Sequence, residues 1–232
     1  MTIYHGDCAE VIESMGTHWG ERLFDLLLTD PPYGIGFAAQ PTKWQRRAGQ
    51  APESWDDQPA DASLLAWVRS MAKFQIVWGG NYFDLPPQRC WLSWYKPDAP
   101  PSMGNVEYAW TNLDQNSRQI SVSIGATNAE RVGHPNQKPE AVMLWALQQA
   151  PESVRTVLDP FVGSGTTLVA CKRVGLESVG IEREERYCEM AARRLQQESL
   201  FSRGMETSPT LDAVDPVAAA TDERTDAREG LF

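Results

Sequence analysis

Three leucines, Leu26, Leu27 and Leu28, run without polar interruption into Thr29, Asp30, Pro31, Pro32 and Tyr33. An apolar run with no alternation reads as a strand covered on both faces, as in a parallel sheet. Neither proline can continue a ladder, because each lacks a backbone donor and has a fixed φ. The strand must therefore stop at Asp30. A carboxylate, the rigid carbonyl of Pro31 and the ring of Tyr33 are left together at a carboxyl edge, where open α/β sheets bind ligands. Taken alone, such a stop is also an ordinary turn after a strand.

A second stretch repeats the pattern. Val157 and Leu158 lead into Asp159, Pro160, Phe161, Val162, Gly163, Ser164, Gly165, Thr166 and Thr167. An apolar strand again ends at an acid, then breaks into a glycine turn and a helix. Together the two stretches resemble the amino-group DNA methyltransferases, with DPPY as the catalytic motif and DPFxGSGTT as the S-adenosylmethionine motif. DPPY comes first here, which is the order of the β-group, in its short phage- or prophage-like form. The resemblance spans most of residues 1–200.

The resemblance implies a permuted Rossmann-like class I methyltransferase fold, an α/β domain of about seven strands with helices on both faces. The strands ending at Asp30 and Asp159 should be adjacent and parallel. It also implies methyl transfer from S-adenosylmethionine to the exocyclic amine of a flipped base in double-stranded DNA. DPPY points to adenine N6. Cytosine N4, RNA or a protein amide remain alternatives, as does a catalytically silent DNA-binding module. Catalysis falls to Asp30, Pro31, Pro32 and Tyr33. Cofactor contacts fall to Asp7, Cys8, Asp30, Lys138, Asp159, Pro160, Phe161, Gly163, Ser164, Gly165, Thr166 and Glu182.

Several of these residues have readings of their own. Ile3–Asp7 is a short strand ending in a Gly-Asp turn before a helix near residues 8–15, so Asp7 suits a helix N-cap as well as an adenine contact. Glu182 ends a strand over 178–182, about 20 residues after the glycines, the spacing at which an acid binds ribose hydroxyls. It could equally be a surface acid at a strand end. The segment WGGNYF, residues 78–83, resembles part of the flipped-base pocket of short adenine methyltransferases and offers Asn81 and Tyr82 to the substrate; Trp78 and Phe83 also fit a core. Lys43, Arg46 and Arg47 lie near Trp44 and Trp55 in a long polar segment, a mixture suited to phosphates and exposed bases or to a solvated loop. The motif HPNQKP, residues 134–139, precedes a helix over 140–149, and His134 has no partner acid.

The remaining pattern gives a helix over 62–74, a strand from Gln75 that meets the glycines Gly79 and Gly80 and then an aromatic pair, a strand over 89–95, and two more over 106–110 and 118–124 that could form a hairpin. The resemblance implies a short target-recognition region at about 98–134. Residues 1–202 form the methyltransferase domain. Residues 203–232 lack apolar periodicity and read as a disordered tail. From Ser199 onward there are seven acids and three bases, so this end supplies four of the ten net negative charges. A charge of −10 argues against a protein that coats DNA, though not against a local basic groove. Cys8, Cys90, Cys171 and Cys188 show no paired spacing, which suits reduced thiols in the cytoplasm and no metal site. No apolar run reaches about 18 residues, so no membrane span is expected. Oligomeric state, including a homodimer, is left open.

Overall fold

The computed structural model describes residues 1–16, 18, 20–36, 56–101, 103–125 and 137–202, with side chains described as far as residue 197. The basic segment with Lys43, Arg46 and Arg47, the residue His134 and the tail 203–232 lie outside the described residues.

The strands are β1 (Thr2–His5), β2 (Phe24–Thr29), β3 (Ala72–Trp78), β4 (Trp91–Tyr95), β5 (Val106–Thr111), β6 (Arg118–Ser121), β7 (Thr156–Asp159) and β8 (Glu177–Glu182). They form one eight-stranded sheet in the order β1-β8-β7-β2-β3-β5-β4-β6. The five strands from β1 to β3 in that order are mutually parallel. β5 then runs antiparallel to both β3 and β4. Among the described residues the helices are α1 (Cys8–Ser14), α2 (Ala62–Ser70), α3 (Glu140–Gln149), α4 (Thr166–Arg173) and α5 (Glu185–Ser202).

Lack of alternation in the central strands has the expected cause. Successive side chains point to opposite faces, and both faces are apolar. Leu26 and Leu28 pack with Val142, Met143 and Ala146 of α3 and with Ala170 of α4. Leu27, between them, packs with Ile12 of α1 and with Leu65 and Val68 of α2. Val157 and Leu158 of β7 divide between the two clusters in the same way.

β2 and β7 are joined side by side, Leu26 opposite Val157 and Leu27 opposite Leu158. Polar side chains close the seam at both ends. At its start, the Asp25 carboxylate accepts from the Arg155 and Thr156 N–H groups at 2.8 and 3.0 Å. At its end, Thr29 Oγ1 donates to Asp159 Oδ1 at 2.8 Å. Sheet order reverses here: β3 follows β2 on one side, while β7, β8 and β1 lie on the other. Such a switch point opens a crevice beyond the strand ends.

Two expectations need correction. The helix begun at Ala62 ends at Ser70, and β3 starts at Ala72 rather than at 75. The apolar spacing of Leu64, Leu65, Val68 and Met71 draws Ala72, Lys73 and Phe74 into the helix, although Ala72 to Gln75 already alternates. The strand ends at Trp78, before the glycines as expected, and Gly80–Tyr82 turns as a 3-10 helix. β5 and β6 are not a hairpin: β4 lies between them and runs parallel to β6. β5 and β6 also show that the span 98–134 contributes strands to the main sheet.

Candidate active site

One cleft of about 800 Å³ crosses the carboxyl ends of β2, β7 and β8. That volume lies within the range of small-molecule sites. Asp30, Pro31, Pro32 and Tyr33 line it, with Asn81, Tyr82 and Lys138. Asp7, Cys8, Asp159, Pro160, Phe161, Gly163, Ser164, Thr166 and Glu182 line it too. The two motifs read from the sequence thus face one space. Gly165 is not part of the lining. It sits at φ 83°, and a Cβ there would meet that of Ala191 at 2.6 Å, so it serves the close approach of α5 to the turn.

Around the glycine turn, Glu182 receives backbone donors on both oxygens. Gly163 N–H donates to Oε2 and Glu184 N–H to Oε1, each at 2.8 Å. Burial raises the Glu182 carboxyl above its ordinary range, against these hydrogen bonds. Its carboxylate ties β8 to the turn and borders the cleft. Asp7 caps α1, its carboxylate accepting from Ala9 N–H at 2.9 Å, and it also lines the cleft. The Cys8 thiol is pushed up to about 12 by burial, reinforced by Asp7 and Asp159, and stays neutral. Arg194 of α5, which the sequence reading passed over, donates to the Ser164 carbonyl at 2.8 Å and to Thr166 Oγ1 at 3.0 Å. The two hydroxyls are therefore partly engaged in holding the turn.

Burial raises Asp159 to about 6, with hydrogen bonds from Thr167, Thr29 and Phe161 N–H opposing the shift. The folded protein therefore holds this proton more tightly than the unfolded chain does. Its contribution to stability is fully present below about pH 4 and is lost as pH rises through about 6, on the order of 2–3 kcal/mol in all. Asp159→Asn should flatten that part of the profile, seen as a melting temperature that falls less than the wild type's between pH 4 and 6.

Asp30 and Tyr33 form the other half. Tyr33 OH donates to Asp30 Oδ1. Lys138 Nζ lies 3.2 Å from Asp30 Oδ2 and 2.6 Å from Glu107 Oε2, and donates to Tyr33 OH at 3.3 Å. Lys96 pairs with the other Glu107 oxygen. The structure thus places Lys138, expected on the cofactor side, against the catalytic motif. Glu107 and Lys96 were not foreseen as members of the site. Asp56 was also missed: its Oδ1 accepts from Tyr33 N–H at 2.9 Å and Gly34 N–H at 3.0 Å, fixing the chain just after the prolines.

Tyr82 stacks on the Tyr33 ring, centroids 4.9 Å apart and planes 13° from parallel, and Phe83 meets it edge-on at 6.3 Å. The gap between the stacked rings has no room for a base. Tyr82, 49% exposed, carries the accessible aromatic surface. Behind Tyr33 stands Gly79, with φ 67° and its amide donating to the Tyr108 carbonyl at 2.8 Å.

A family model described as DNA methylase, of the N6/N4 type, matches residues 73–193, just over half of the chain. This chain belongs to the DNA methylase family. With DPPY ahead of the glycine turn, it is an amino DNA methyltransferase of the β-group. The methylase is 27% identical over 256 residues to the type II methyltransferase M.ScaI of Streptomyces caespitosus, covering 86% of its own length and 83% of that protein. It is 24% identical over 253 residues to the type II methyltransferase M.HinfI of Haemophilus influenzae, covering 84% and 68%. In fold it resembles the M1.HpyAVI–SAM complex, with a TM-score of 0.56 at 20% identity over 84% of the methylase and 98% of that chain. It likewise resembles the cytosine-N4-specific PvuII DNA methyltransferase, with a TM-score of 0.52 at 18% identity over 87% and 91%. Among the described residues of the methylase, no helix is long and apolar enough to cross a membrane.

Proposed function

We propose that this methylase transfers a methyl group from S-adenosylmethionine to adenine N6 of a base extruded from double-stranded DNA, at a specific site. The observation that carries this reading is the meeting of Asp30 and the glycine turn in one cleft, on strands joined edge to edge. S-adenosylmethionine supplies an electrophilic sulfonium methyl when bound.

The residues fit that donor. Glu182, held by two backbone N–H groups, lines the cleft, and a carboxylate there suits vicinal ribose hydroxyls. Asp7 and the backbone of Cys8 suit the adenine edge, and Phe161 offers an apolar wall. Glu182→Ala should weaken S-adenosylmethionine binding about 10- to 100-fold in calorimetry, the range expected for hydrogen bonds to a charged acceptor. Circular dichroism should show the fold intact. Unchanged affinity would remove Glu182 from the donor site.

An aromatic amine is a weak nucleophile because its lone pair is delocalised into the ring. Asp30 and the Pro31 carbonyl supply two acceptors for its protons at the end of β2. Accepting those protons draws the nitrogen towards tetrahedral geometry and stabilises positive charge as it develops. The aromatic group formed by Tyr33 and Tyr82 gives the extruded base a stacking surface. The methyl would pass directly to the amine nitrogen as its bond to sulfur breaks, leaving a neutral thioether, and the surplus proton would go to a base or solvent, so the enzyme acts through positioning and electrostatics. The neutral, buried Cys8 and Cys171 thiols, both held near 12, offer no nucleophile.

Adenine rather than cytosine rests on the DPPY motif. The test incubates purified protein with labelled S-adenosylmethionine and unmethylated genomic DNA, followed by nucleoside analysis. N6-methyladenine is the expected product. N4-methylcytosine would reassign the base, and label appearing only in RNA or protein controls would overturn DNA as the substrate.

A further inference from the structure

The cluster behind Asp30 is an alternating chain of charges drawn from four elements. Asp30 ends β2, Lys138 precedes α3, Glu107 lies on β5 and Lys96 follows β4. Lys138 is 7% exposed and Lys96 6%, so neither is a surface lysine that happens to find a partner. The Lys138 ammonium also sits 4.8 Å from the centroid of the Trp78 ring and 6.0 Å from that of Trp94. Contacts of this kind favour the charged form. Lys138 is thus clamped between two carboxylates, and the share of its charge that reaches Asp30 depends on Glu107.

The geometry points to Lys138 as a positioning residue that keeps Asp30 ionised and its Oδ2 fixed, with Glu107 setting how strongly it does so. This inference rests on the methyl-transfer reading above, in which an ionised Asp30 accepts the amine's protons. The surroundings make a counter-charge necessary. Asp30 is driven towards its neutral form by burial, Lys138 opposes that, and Glu107 adds to it. Asp159 on the adjoining strand is a further negative neighbour, and the Tyr33 hydroxyl a donor. Burial also disfavours a charged Glu107, but Lys138 and Lys96 outweigh it and hold that carboxyl at about 2. Glu107 therefore remains charged wherever the enzyme works, and so competes constantly with Asp30 for Lys138. A protonated Asp30 would offer a donor where the amine needs an acceptor.

Two substitutions separate this role from simple support of the fold. Lys138→Met removes the counter-charge and leaves Asp30 with burial, Glu107 and Asp159, all favouring protonation. Glu107→Gln keeps an acceptor for Lys138 but removes a competing negative charge, so more of the ammonium acts on Asp30. The measurement is single-turnover methyl transfer from pH 5 to 9, each rate expressed against that protein's own plateau. At the pH where the wild type is half-maximal, Lys138→Met should retain about a tenth or less of its plateau, since an opposite charge at this distance is worth one or more factors of ten. Glu107→Gln should move the acid limb the opposite way. Acid limbs left in place, or displaced in one common direction, would overturn the proposal.

Titration of the carbon-13-labelled Asp30 carboxyl by NMR, without DNA, reads the same effect independently of turnover. Asp30 should protonate at higher pH than wild type in Lys138→Met and at lower pH in Glu107→Gln. If the wild type transfers no methyl group at any pH, the functional reading fails, while the titration still decides the role of Lys138. If Lys138→Met does not fold, Lys138→Gln, which also removes the charge, takes its place in the titration, and an Asp30 carboxyl that protonates as in the wild type would overturn the proposal.

Discussion

Asp30→Ala should abolish methyl transfer while leaving S-adenosylmethionine binding in place. Loss of a well-placed acceptor in a site sheltered from water lowers rates by about 10²–10³, and Asp30 also orients the amine, so the loss should be at the upper end or beyond. The fold should survive, because Lys138 keeps Glu107 as a partner at 2.6 Å and is not stranded without a counter-charge. Glu182 and Asp7, at the other end of the cleft, are untouched. Calorimetry with S-adenosylmethionine and single-turnover assays with DNA give the two readouts. Near-normal turnover would exclude Asp30 as the group that activates the amine.

Gly79→Ala is the second large effect, and it acts without touching a reacting group. A Cβ at this position would lie 2.0 Å from Cε1 of the Tyr33 ring, far inside contact distance. The backbone is also left-handed here, a conformation glycine adopts without strain and alanine does not. The ring must move, which disturbs its hydroxyl contact with Asp30 and its stacking on Tyr82. Displacements of about 1 Å near reacting groups can cost about 10²-fold in rate, so single-turnover transfer should fall by 10- to 100-fold. A mismatch opposite the target lowers the energy needed to extrude the base. It should therefore partly restore Gly79→Ala, whose defect includes base capture, and leave Asp30→Ala unchanged. Equal restoration of both would mean that the Tyr33–Tyr82 pair has no separate part in capturing the base.

The parts of this site that announce themselves in the sequence are those where the backbone must change direction. Pro31 and Pro32 stop a strand whatever surrounds them. Gly163 and Gly165 permit a turn that other residues resist, and Glu182 follows at a spacing fixed by one helix and one strand. These motifs carry the family resemblance, and the resemblance implied the adjacent parallel strands and the shared cleft. Residues that act through partners distant in the chain could not be foreseen. Glu107 is one acid in a short strand, and nothing local distinguishes it from a solvent-facing one. Its partners, Lys138 and Lys96, are 31 and 11 residues away. Arg194 reaches the glycine turn from a helix 30 residues further on, so its charge pattern resembles that of any amphipathic helix. The order of β4, β5 and β6 was hidden for a related reason. Neighbours in sequence usually pair, but β4 occupies the place beside β5 that β6 would have taken. Gln75 and Lys73 could have revealed the start of β3, since apolar and polar residues alternate from Ala72 onward.

The β2–β7 seam has a consequence for how the chain comes to be folded. Thr29 and Asp159, which close it, are 130 residues apart. At synthesis rates of about 5–20 residues per second, β2 emerges roughly ten seconds before its neighbour exists. In that interval β3 can cover one edge of β2, but the other edge presents Leu26, Leu27 and Leu28 with unpaired backbone groups. Such an edge invites pairing with a wrong strand. The nascent polypeptide is therefore vulnerable in its middle period, until β7 arrives and covers the open edge of β2.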